Sequence, residues 1–258
     1  MRVDEARSVE TVIECQHVSK AFTTRRGTKS VIGDISLKIR KNEFVVLFGP
    51  GQCGKTSLMN ILSGLDEASS GLVSSRGERV VKPQHTRGVV FQSMALFPWL
   101  TVRGNVAFGL KARGFAKEVW KAKSDHYIDL VGLKGFEDAF INRLSGGMKQ
   151  RVGIARAYCN DPEVLFMDEP FSALDAQTRY LMQEEIRRIW SAEKKTIVFI
   201  TNNIEEAVYL ADRIILLTNC PANIKKEYQI DLPHPRDYTS AEFLALRDEI
   251  SKNMDSTL

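Results

Sequence analysis

The stretch that decides the fold is "GPGQCGKT", residues 49–56. It follows a continuous apolar run, "FVVLF" (44–48), and precedes "SLMNILSGL" (57–65), whose spacing predicts a helix that stops near Gly64. A glycine-rich turn between a buried strand and a helix, with lysine and threonine at its end, fits the pattern GxxxxGK[ST]. The free N–H groups of such a turn and of the helix start point at an anion. The sequence therefore predicts a phosphate-binding loop.

The chemistry expected of this loop is nucleotide binding. Its backbone N–H groups would surround the phosphates, Lys55 would add a positive charge, and the Thr56 hydroxyl would ligate Mg²⁺. The cofactors predicted here are thus ATP and Mg²⁺. The residues predicted to bind them are Gly49, Pro50, Gly51, Gln52, Cys53, Gly54, Lys55, Thr56 and Ser57.

A second motif, "VLFMDEP" (164–170), is an apolar strand that ends in two acids. We expect Asp168 to hold Mg²⁺ and Glu169 to accept a proton from an attacking water. Acids at strand ends are common, so the motif gains its weight from the phosphate loop on a neighbouring strand.

A third motif, "LSGGMKQRVGIARA" (144–157), places Ser145, Gly146 and Gly147 at the start of a predicted helix. Helix N-termini carry free N–H groups that attract anions. Serine is also a favoured N-cap, so an ordinary capped helix remains an alternative at this point.

The composition is that of a soluble globular protein: 43% of the 258 residues are hydrophobic, 26% are charged, and the net charge is +4. The basic residues are scattered, which favours a mixed-charge surface over a nucleic-acid patch. No apolar run approaches the about 18 residues of a membrane span, and residues 1–15 lack an apolar signal core. The isolated cysteines and histidines favour reduced thiols and no metal cluster. We expect a cytosolic chain without a nucleic-acid partner.

Strand and helix patterns alternate along the chain, which predicts an α/β fold with a helical insertion. In the N-terminal part, "TTRRGTKS" (23–30) is predicted to be a loop between two strands. Met182, Ile186, Ile189 and Trp190 share one face of a long predicted helix. Near the C-terminus, the capping-box spacing of Thr239 and Glu242 predicts another helix start.

The order and spacing of the motifs identify a resemblance over residues 10–220. With "SALD" (172–175), they resemble the nucleotide-binding domain of ATP-binding cassette (ABC) transporters. The resemblance implies a P-loop NTPase core with a mostly parallel sheet, an N-terminal antiparallel β subdomain and an inserted helical subdomain. It implies one ABC ATPase domain over residues 1–258, divided into a RecA-like core with the β subdomain (10–92 and 158–220), a helical signature subdomain (93–157) and a C-terminal tail (221–258).

The resemblance also implies roles for individual residues. Phe22 matches the aromatic residue that stacks on adenine, and Gln92 matches the glutamine that reaches Mg²⁺ and the attacking water. Ser145 and Gly147 match signature residues that contact the γ-phosphate bound by the opposite subunit. Ala173, Leu174 and Asp175 match the loop that couples the two sites of a dimer.

Several segments are similar to the nitrate, sulfonate and taurine class of bacterial importers, among them "FQSMALFPWLTV" (91–102) and "IDLPHPRDYTSAEF" (230–243). The class implies a second nucleotide-binding subunit, two membrane permease subunits and, indirectly, a periplasmic or surface solute-binding protein. It places the chain at the cytoplasmic face of the membrane, as a peripheral subunit. Residues 93–100 would line the groove for the permease, or else belong to the core of the helical subdomain.

Three positions depart from the family pattern. Gly51 replaces the usual serine and Gln52 the usual glycine, so the loop is expected to be strained or reshaped. Asn202 stands where the family has a catalytic histidine that contacts the γ-phosphate. Two functions follow: an ATPase subunit of an importer for a small anion, or a catalytically weak subunit that acts as a regulator or as the degenerate half of a heterodimer.

Overall fold

The computed structural model describes residues 10–25, 27–172 and 174–255. The strands are β1 (Thr11–Thr24), β2 (Gly27–Arg40), β3 (Phe44–Phe48), β4 (Ser70–Ser75), β5 (Glu78–Arg79), β6 (Arg87–Val90), β7 (Val164–Asp168), β8 (Thr196–Thr201), β9 (Arg213–Leu217) and β10 (Ile224–Gln229). The helices are α1 (Lys55–Ser63), α2 (Val102–Val106), α3 (Phe108–Ala112), α4 (Lys117–Leu130), α5 (Gly146–Cys159), α6 (Ala176–Glu193), α7 (Ile204–Leu210) and α8 (Ala241–Asp255).

The strands form two sheets. The larger sheet has the order β10-β9-β3-β8-β7-β6, and all of its strands are parallel except β10. The smaller sheet, in the order β2-β1-β4-β5, is antiparallel. The predicted α/β class, with an antiparallel N-terminal sheet beside a mostly parallel one, is confirmed.

Strand β3 shows why the apolar run of residues 44–48 has no polar gap. Phe44, Val46 and Phe48 pack into one hydrophobic cluster, which also contains the buried face of α6. Val45 and Leu47 pack into a second cluster, with α1 and the antiparallel sheet. A strand covered on both faces needs apolar side chains at every position.

The strand register brings the motifs together. In the parallel pairs, Phe48 lies beside Thr201 and Asp168 beside Ile200. Because parallel strands end at one edge of a sheet, the chain segments that follow β3, β8, β7 and β6 emerge side by side. This edge therefore collects the phosphate loop, Asn202, Glu169 and Gln92.

The inserted helices α2–α5 form their own packed layer. Val102 and Val106 of α2, Ile128 of α4 and Val152 of α5 are fully buried in the cluster that covers one face of the large sheet. The division of the chain at residues 93–157 stays a prediction.

Two local predictions are wrong. The segment 23–30 is not a loop, because β1 extends to Thr24 and β2 begins at Gly27, with the Thr23 and Thr28 hydroxyls hydrogen-bonded at 3.1 Å across the hairpin. Threonine suits such exposed strand positions. The final helix starts at Ala241, and Ser240 rather than Thr239 accepts a hydrogen bond from the helix, from the N–H of Phe243 at 3.3 Å.

Arg236, which is only 6% exposed, is one of the residues that attach the described part of the C-terminal tail to the core. Its guanidinium donates to the carbonyl oxygens of Val208 at 2.6 Å, Tyr209 at 3.2 Å and Ala211 at 2.7 Å. These are carbonyls at the C-terminal end of α7, which have no partner within the helix. Arg236 therefore fixes the helix that follows Asn202.

Within the three described ranges, no helix combines the length and the hydropathy needed to cross a membrane.

Candidate functional site

Glycine is required at two positions of the phosphate loop. Gly54 has φ 115°, and a Cβ there would lie 2.9 Å from the carbonyl oxygen of Val31. A Cβ on Gly49 would lie 3.1 Å from the carbonyl oxygen of Leu217 and 3.3 Å from Cys53 Sγ. The loop is thus held closely against the strand ends around it.

Gln52 adopts a left-handed backbone, with φ 62°. For a residue with a Cβ this conformation costs about 1–2 kcal/mol, which a glycine would avoid. Gly51 has no positive φ and has open space around it. The strain expected for this loop therefore falls on Gln52. Gly51 adopts a backbone conformation that does not require glycine.

Cys53 is 1% exposed, with its side chain directed into the core beneath the loop. Burial raises the pKa of the Cys53 thiol, although the charge of Lys55 opposes the shift. A buried neutral thiol is a weak nucleophile. Cys53 thus acts as a small packing residue in this structure.

Lys55 begins helix α1 and is 4% exposed. Its ammonium group donates to the carbonyl oxygens of Gly49 at 2.9 Å and Pro50 at 2.7 Å. The same group lies 4.0 Å from Glu169 Oε1. The loop therefore encloses a positive charge that faces the strand end of the second motif.

Thr56 and Asp168 meet although 112 residues separate them. The Thr56 hydroxyl lies 3.1 Å from each carboxylate oxygen of Asp168. Burial raises the pKa of Asp168, and the charge of Glu169 adds to the shift, whereas the Thr56 hydrogen bond and Lys55 lower it. A buried carboxylate with incomplete compensation, beside a hydroxyl, is a donor set that suits Mg²⁺. The residues present fit this ion.

Glu169 lies one residue beyond β7, with φ 41° and its side chain 21% exposed. Its N–H donates to the carbonyl oxygen of Ile200 at 3.0 Å, which ties this residue to the neighbouring strand. Glu169 therefore projects from a fixed backbone into the open edge of the sheet.

Ser172 links two of the predicted residues and was not foreseen from the sequence. Its hydroxyl accepts a hydrogen bond from Gln92 Nε2 at 3.2 Å and donates to the carbonyl oxygen of Glu169 at 3.0 Å. The position was visible in the "SALD" segment, but nothing in the sequence indicated which residue 80 positions away it would contact.

Asn202 is exposed, and its side chain makes no hydrogen bond within the part of the chain that the structure describes. Asn203 caps α7 by accepting from the N–H groups of Glu205 at 2.9 Å and Glu206 at 3.1 Å. The reciprocal capping-box bond from Glu206 is absent here. The N–H of Asn203 donates to Thr201 Oγ1 at 3.0 Å instead, because the Glu206 carboxylate is turned inward to accept from Thr201 at 2.6 Å.

The signature residues lie at the start of α5. Ser145 caps this helix by accepting from the N–H of Met148 at 3.3 Å, and Gly146 is open to solvent. A Cβ on Gly147 would lie 3.1 Å from Thr178 Cγ2, so the helix start packs beside α6. In the described residues no hydrogen bond joins this helix start to the phosphate loop, and its predicted contact with nucleotide stays a prediction.

Asp175 caps α6 through the N–H of Thr178 at 3.0 Å and the Thr178 hydroxyl at 2.7 Å. These hydrogen bonds lower the pKa of Asp175. Ala173, which the resemblance also assigns to this loop, lies outside the described residues.

Phe22 is 42% exposed on β1, and Lys20 Nζ lies 4.9 Å from the ring centroid. Without the resemblance, a buried aromatic residue would be the simpler expectation for this position. The exposed ring is instead free to stack on a planar ligand.

An apolar groove of about 540 Å³ lies beside the segment after Gln92. The rings of Phe91, Phe97 and Phe108 line it together with Arg113 and Arg156. Nearby, Trp99 is 69% exposed. Leu96 of the same segment packs against the core cluster, so both alternatives for residues 93–100 stay predictions.

Residues 32–172 match the family model described as ABC transporter. An uncharacterized ABC transporter ATP-binding protein of Methanocaldococcus jannaschii is 47% identical over 238 residues, which cover 92% of this chain and 89% of the relative. The aliphatic sulfonates import ATP-binding protein SsuB of Bacillus thuringiensis subsp. konkukian is 40% identical over 243 residues, 94% of this chain and 96% of the relative.

Two solved structures share the fold. A dimeric structure of the bacterial ABC transporter cassette MJ0796 superposes with a TM-score of 0.75 at 26% identity, covering 86% of this chain and all of the other. A dimeric post-hydrolysis state of the same cassette, bound to ADP and phosphate, matches with the same TM-score and identity.

Proposed function

Since the chain belongs to the ABC transporter family as an ATP-binding protein, we propose that it hydrolyses ATP to drive the import of a small anion through a membrane permease. The likeness to the SsuB proteins favours a nitrate-, sulfonate- or taurine-like solute. One observation carries the proposal: Lys55, the Thr56–Asp168 pair and Glu169 meet at the carboxyl edge of the parallel sheet.

The site residues would divide the work. The N–H groups of residues 49–57 and the charge of Lys55 would bind the phosphates, and Phe22 would stack on the base. Glu169 would accept a proton from water, and Gln92 would orient that water. Ser145, Gly146, Gly147 and Asp175 would act across a dimer, on nucleotide bound by the second subunit. The dimeric structures of the related cassette support that arrangement.

Mg²⁺ would be held by Thr56, Asp168 and Gln92. The ion would neutralise phosphate charge, and it would also compensate the negative charge of the buried Asp168 carboxylate. These three residues carry only hard oxygen donors, which Mg²⁺ prefers.

The phosphate-loop assignment is tested by Lys55→Ala, with Mg²⁺-ATP affinity measured by calorimetry. We expect a loss of roughly 10- to 150-fold, from one missing charge-assisted interaction of about 1.5–3 kcal/mol. Lys41→Ala is the matched control, since Lys41 lies at the opposite end of β3 and pairs with Glu10. Unchanged affinity in Lys55→Ala would refute the assignment.

The partner assignment rests on the aromatic groove described above. The exposed rings of Phe91, Trp99 and Phe108, with the partly buried ring of Phe97 between Trp99 and Phe108, form an apolar patch that a permease helix would cover. Docking there would hold the chain at the cytoplasmic face of the membrane as a peripheral subunit. Trp99→Asp is expected to release the chain from permease-containing membranes and to leave its ATP affinity unchanged, and continued membrane binding would contradict the proposal.

The solute is tested in the reconstituted complex. ATP hydrolysis is measured with the permease, with the solute-binding protein, and with nitrate, taurine or an alkanesulfonate in turn. We expect one of these anions to stimulate turnover, and stimulation only by neutral or cationic solutes would contradict the proposal.

A second function is favoured by the observation that Asn202 is exposed and makes no hydrogen bond in the described residues. In this alternative the chain binds ATP but hydrolyses it slowly, and serves as a regulator or as one half of a heterodimer. Turnover of the homodimeric complex separates the two functions, because the alternative requires a second cassette for fast hydrolysis.

A further inference from the structure

A buried carboxylate lies between two loops of the site. Glu206 is on α7, is 4% exposed, and is a residue to which the proposed chemistry gives no role. Its two oxygens face different elements. Oε2 accepts from the Thr201 hydroxyl at 2.6 Å, and Oε1 lies 3.6 Å from Nε of Arg179 on α6.

The first connection reaches the loop that carries Asn202. Thr201 is the last residue of β8, and the same hydroxyl that donates to Glu206 accepts from the N–H of Asn203 at 3.0 Å. A hydroxyl has one proton to donate. Donation to the carboxylate therefore orients the Thr201 oxygen so that its lone pair meets the N–H of Asn203.

The second connection reaches the loop after Glu169. The guanidinium of Arg179 donates to the carbonyl oxygen of Leu174 at 3.1 Å, directly before the helix cap Asp175. Arg179 Nε is buried and makes no hydrogen bond in the described residues, so the charge of Glu206 is its nearest compensation.

The electrostatics show that Glu206 is a costly residue at this place. Burial raises its pKa, and the charge of Glu169 raises it further, while the hydrogen bonds with Thr201 and Gln183 and the charge of Arg179 lower it only in part. Replacing a buried ion pair by apolar side chains of similar volume often leaves a protein equally stable or makes it more stable. A gain in stability therefore does not account for a carboxylate at this position. The geometry instead indicates that the charge orients its neighbours.

We propose that Glu206 is a positioning residue that couples the loop at Leu174–Asp175 to the loop at Thr201–Asn203, through Arg179 on one side and the Thr201 hydroxyl on the other. The inference rests on the proposed function, because both loops flank Glu169 at the edge where ATP would be hydrolysed. Glu206 touches neither nucleotide nor water in this scheme. It keeps the two flanking loops in one arrangement while the reaction proceeds.

The two connections need different chemistry, so variants separate them. In Glu206→Gln the amide oxygen still accepts from Thr201, but the charge opposite Arg179 is gone. In Arg179→Met the contact with Leu174 is lost and the Thr201 bond is kept. Glu206→Ala removes both. Glu205→Gln is the matched control, since Glu205 is the adjacent residue on α7, with a side chain 43% exposed.

Amide hydrogen exchange reads the coupling directly in the full chain. We expect Glu206→Ala to speed exchange at both Leu174 and Asn203, and Glu206→Gln and Arg179→Met to speed it at Leu174 alone. Glu205→Gln should change neither. An exchange rate at Leu174 equal to that of the wild type in Glu206→Gln would overturn the proposal. Because glutamine has the size of glutamate, this variant still allows the test if Glu206→Ala fails to fold.

Steady-state hydrolysis supplies the functional reading. Glu206→Ala should lower kcat about tenfold or more and change KM for ATP by less than about twofold, because it loses orientation around Glu169 and no nucleotide contact. A wild-type kcat in Glu206→Ala would overturn the proposal. Failure of the wild-type chain to bind Mg²⁺-ATP would instead defeat the proposed function, and the exchange data would still decide the coupling.

Discussion

Asn202→His tests whether the missing histidine limits turnover. Asn202 follows Thr201, which pairs with Phe48, so position 202 emerges beside Gly49 of the phosphate loop. On the other side, the carbonyl of Ile200 accepts from the N–H of Glu169 at 3.0 Å. Position 202 therefore lies between the phosphate loop and Glu169, the proposed base.

The structure sets the expected magnitude. The Asn202 side chain is exposed and bonds to no described residue, so its replacement should change the free energy of unfolding by no more than about 0.5 kcal/mol. A histidine that donates to the γ-phosphate would add one hydrogen bond to a charged group, about 1.5–3 kcal/mol. Realised only in the transition state, this gain accelerates hydrolysis roughly 10- to 150-fold.

The assay is steady-state phosphate release, with ATP affinity from calorimetry. We expect a rise in kcat of about tenfold or more in Asn202→His and little change in affinity. Asn202→Gln is the control for reach, because its amide extends further than asparagine but carries no charge. Adding Glu169→Gln should abolish the gain, since position 202 only orients what Glu169 activates.

A flat or reduced rate in Asn202→His, in a chain that still binds ATP, would refute the reasoning. The structure offers a reason for such a result: Gln52 is exposed in the phosphate loop and could supply the phosphate contact itself. In that case Gln52→Gly alone would lower the rate of hydrolysis strongly, whereas Gln52→Gly combined with Asn202→His would keep it.

Three further results are expected. Cys53, which is buried, should be alkylated more slowly than the partly exposed Cys220, and Mg²⁺-ATP should slow it further; mass spectrometry showing equal labelling of the two thiols would contradict this. Gln52→Gly should raise the free energy of unfolding by about 0.5–1 kcal/mol, because the roughly 1–2 kcal/mol of left-handed strain that it relieves exceeds the about 0.5–1 kcal/mol of chain entropy that glycine costs, and a lower free energy of unfolding in urea denaturation would contradict this. The pKa of Glu206 is raised from 4.5, so this group contributes stability below pH 4.5 and loses that contribution as the pH rises through the folded pKa. The free energy of unfolding of Glu206→Gln, relative to that of the wild type, should therefore increase as the pH rises above 4.5. A difference that does not change with pH would argue against it.

The parts of the fold that could be predicted are those encoded locally. The phosphate loop, the strand before it and the helix after it lie within twenty residues of one another, and their pattern sufficed. The helix stop at Gly64 is confirmed by its left-handed backbone, φ 84°, and the buried face of α6 is confirmed at Met182 and Ile186.

The errors share one cause, which is that competing contacts between residues near one another in the chain decided the outcome, and the sequence pattern does not rank such contacts. Polar residues at 23–30 suggested a loop, but cross-strand pairing such as Phe22 with Lys29 extends both strands. The capping-box spacing of Thr239 and Glu242 failed because the Thr239 hydroxyl donates to Asp237, and Ser240 caps the helix instead. Spacing along the chain carries no record of these contacts.

The neighbouring asparagines at 202 and 203 separate folding from chemistry. Asn203 stabilises the fold, because its side chain caps α7 and its N–H donates to the Thr201 hydroxyl. The far end of the same helix is fixed by Arg236. Position 202 contributes to neither, so its identity is free of any constraint from the fold. A histidine at position 202 is therefore expected to leave intact the structure on which the other proposed site residues depend, so that Asn202→His reports on the reaction and not on folding.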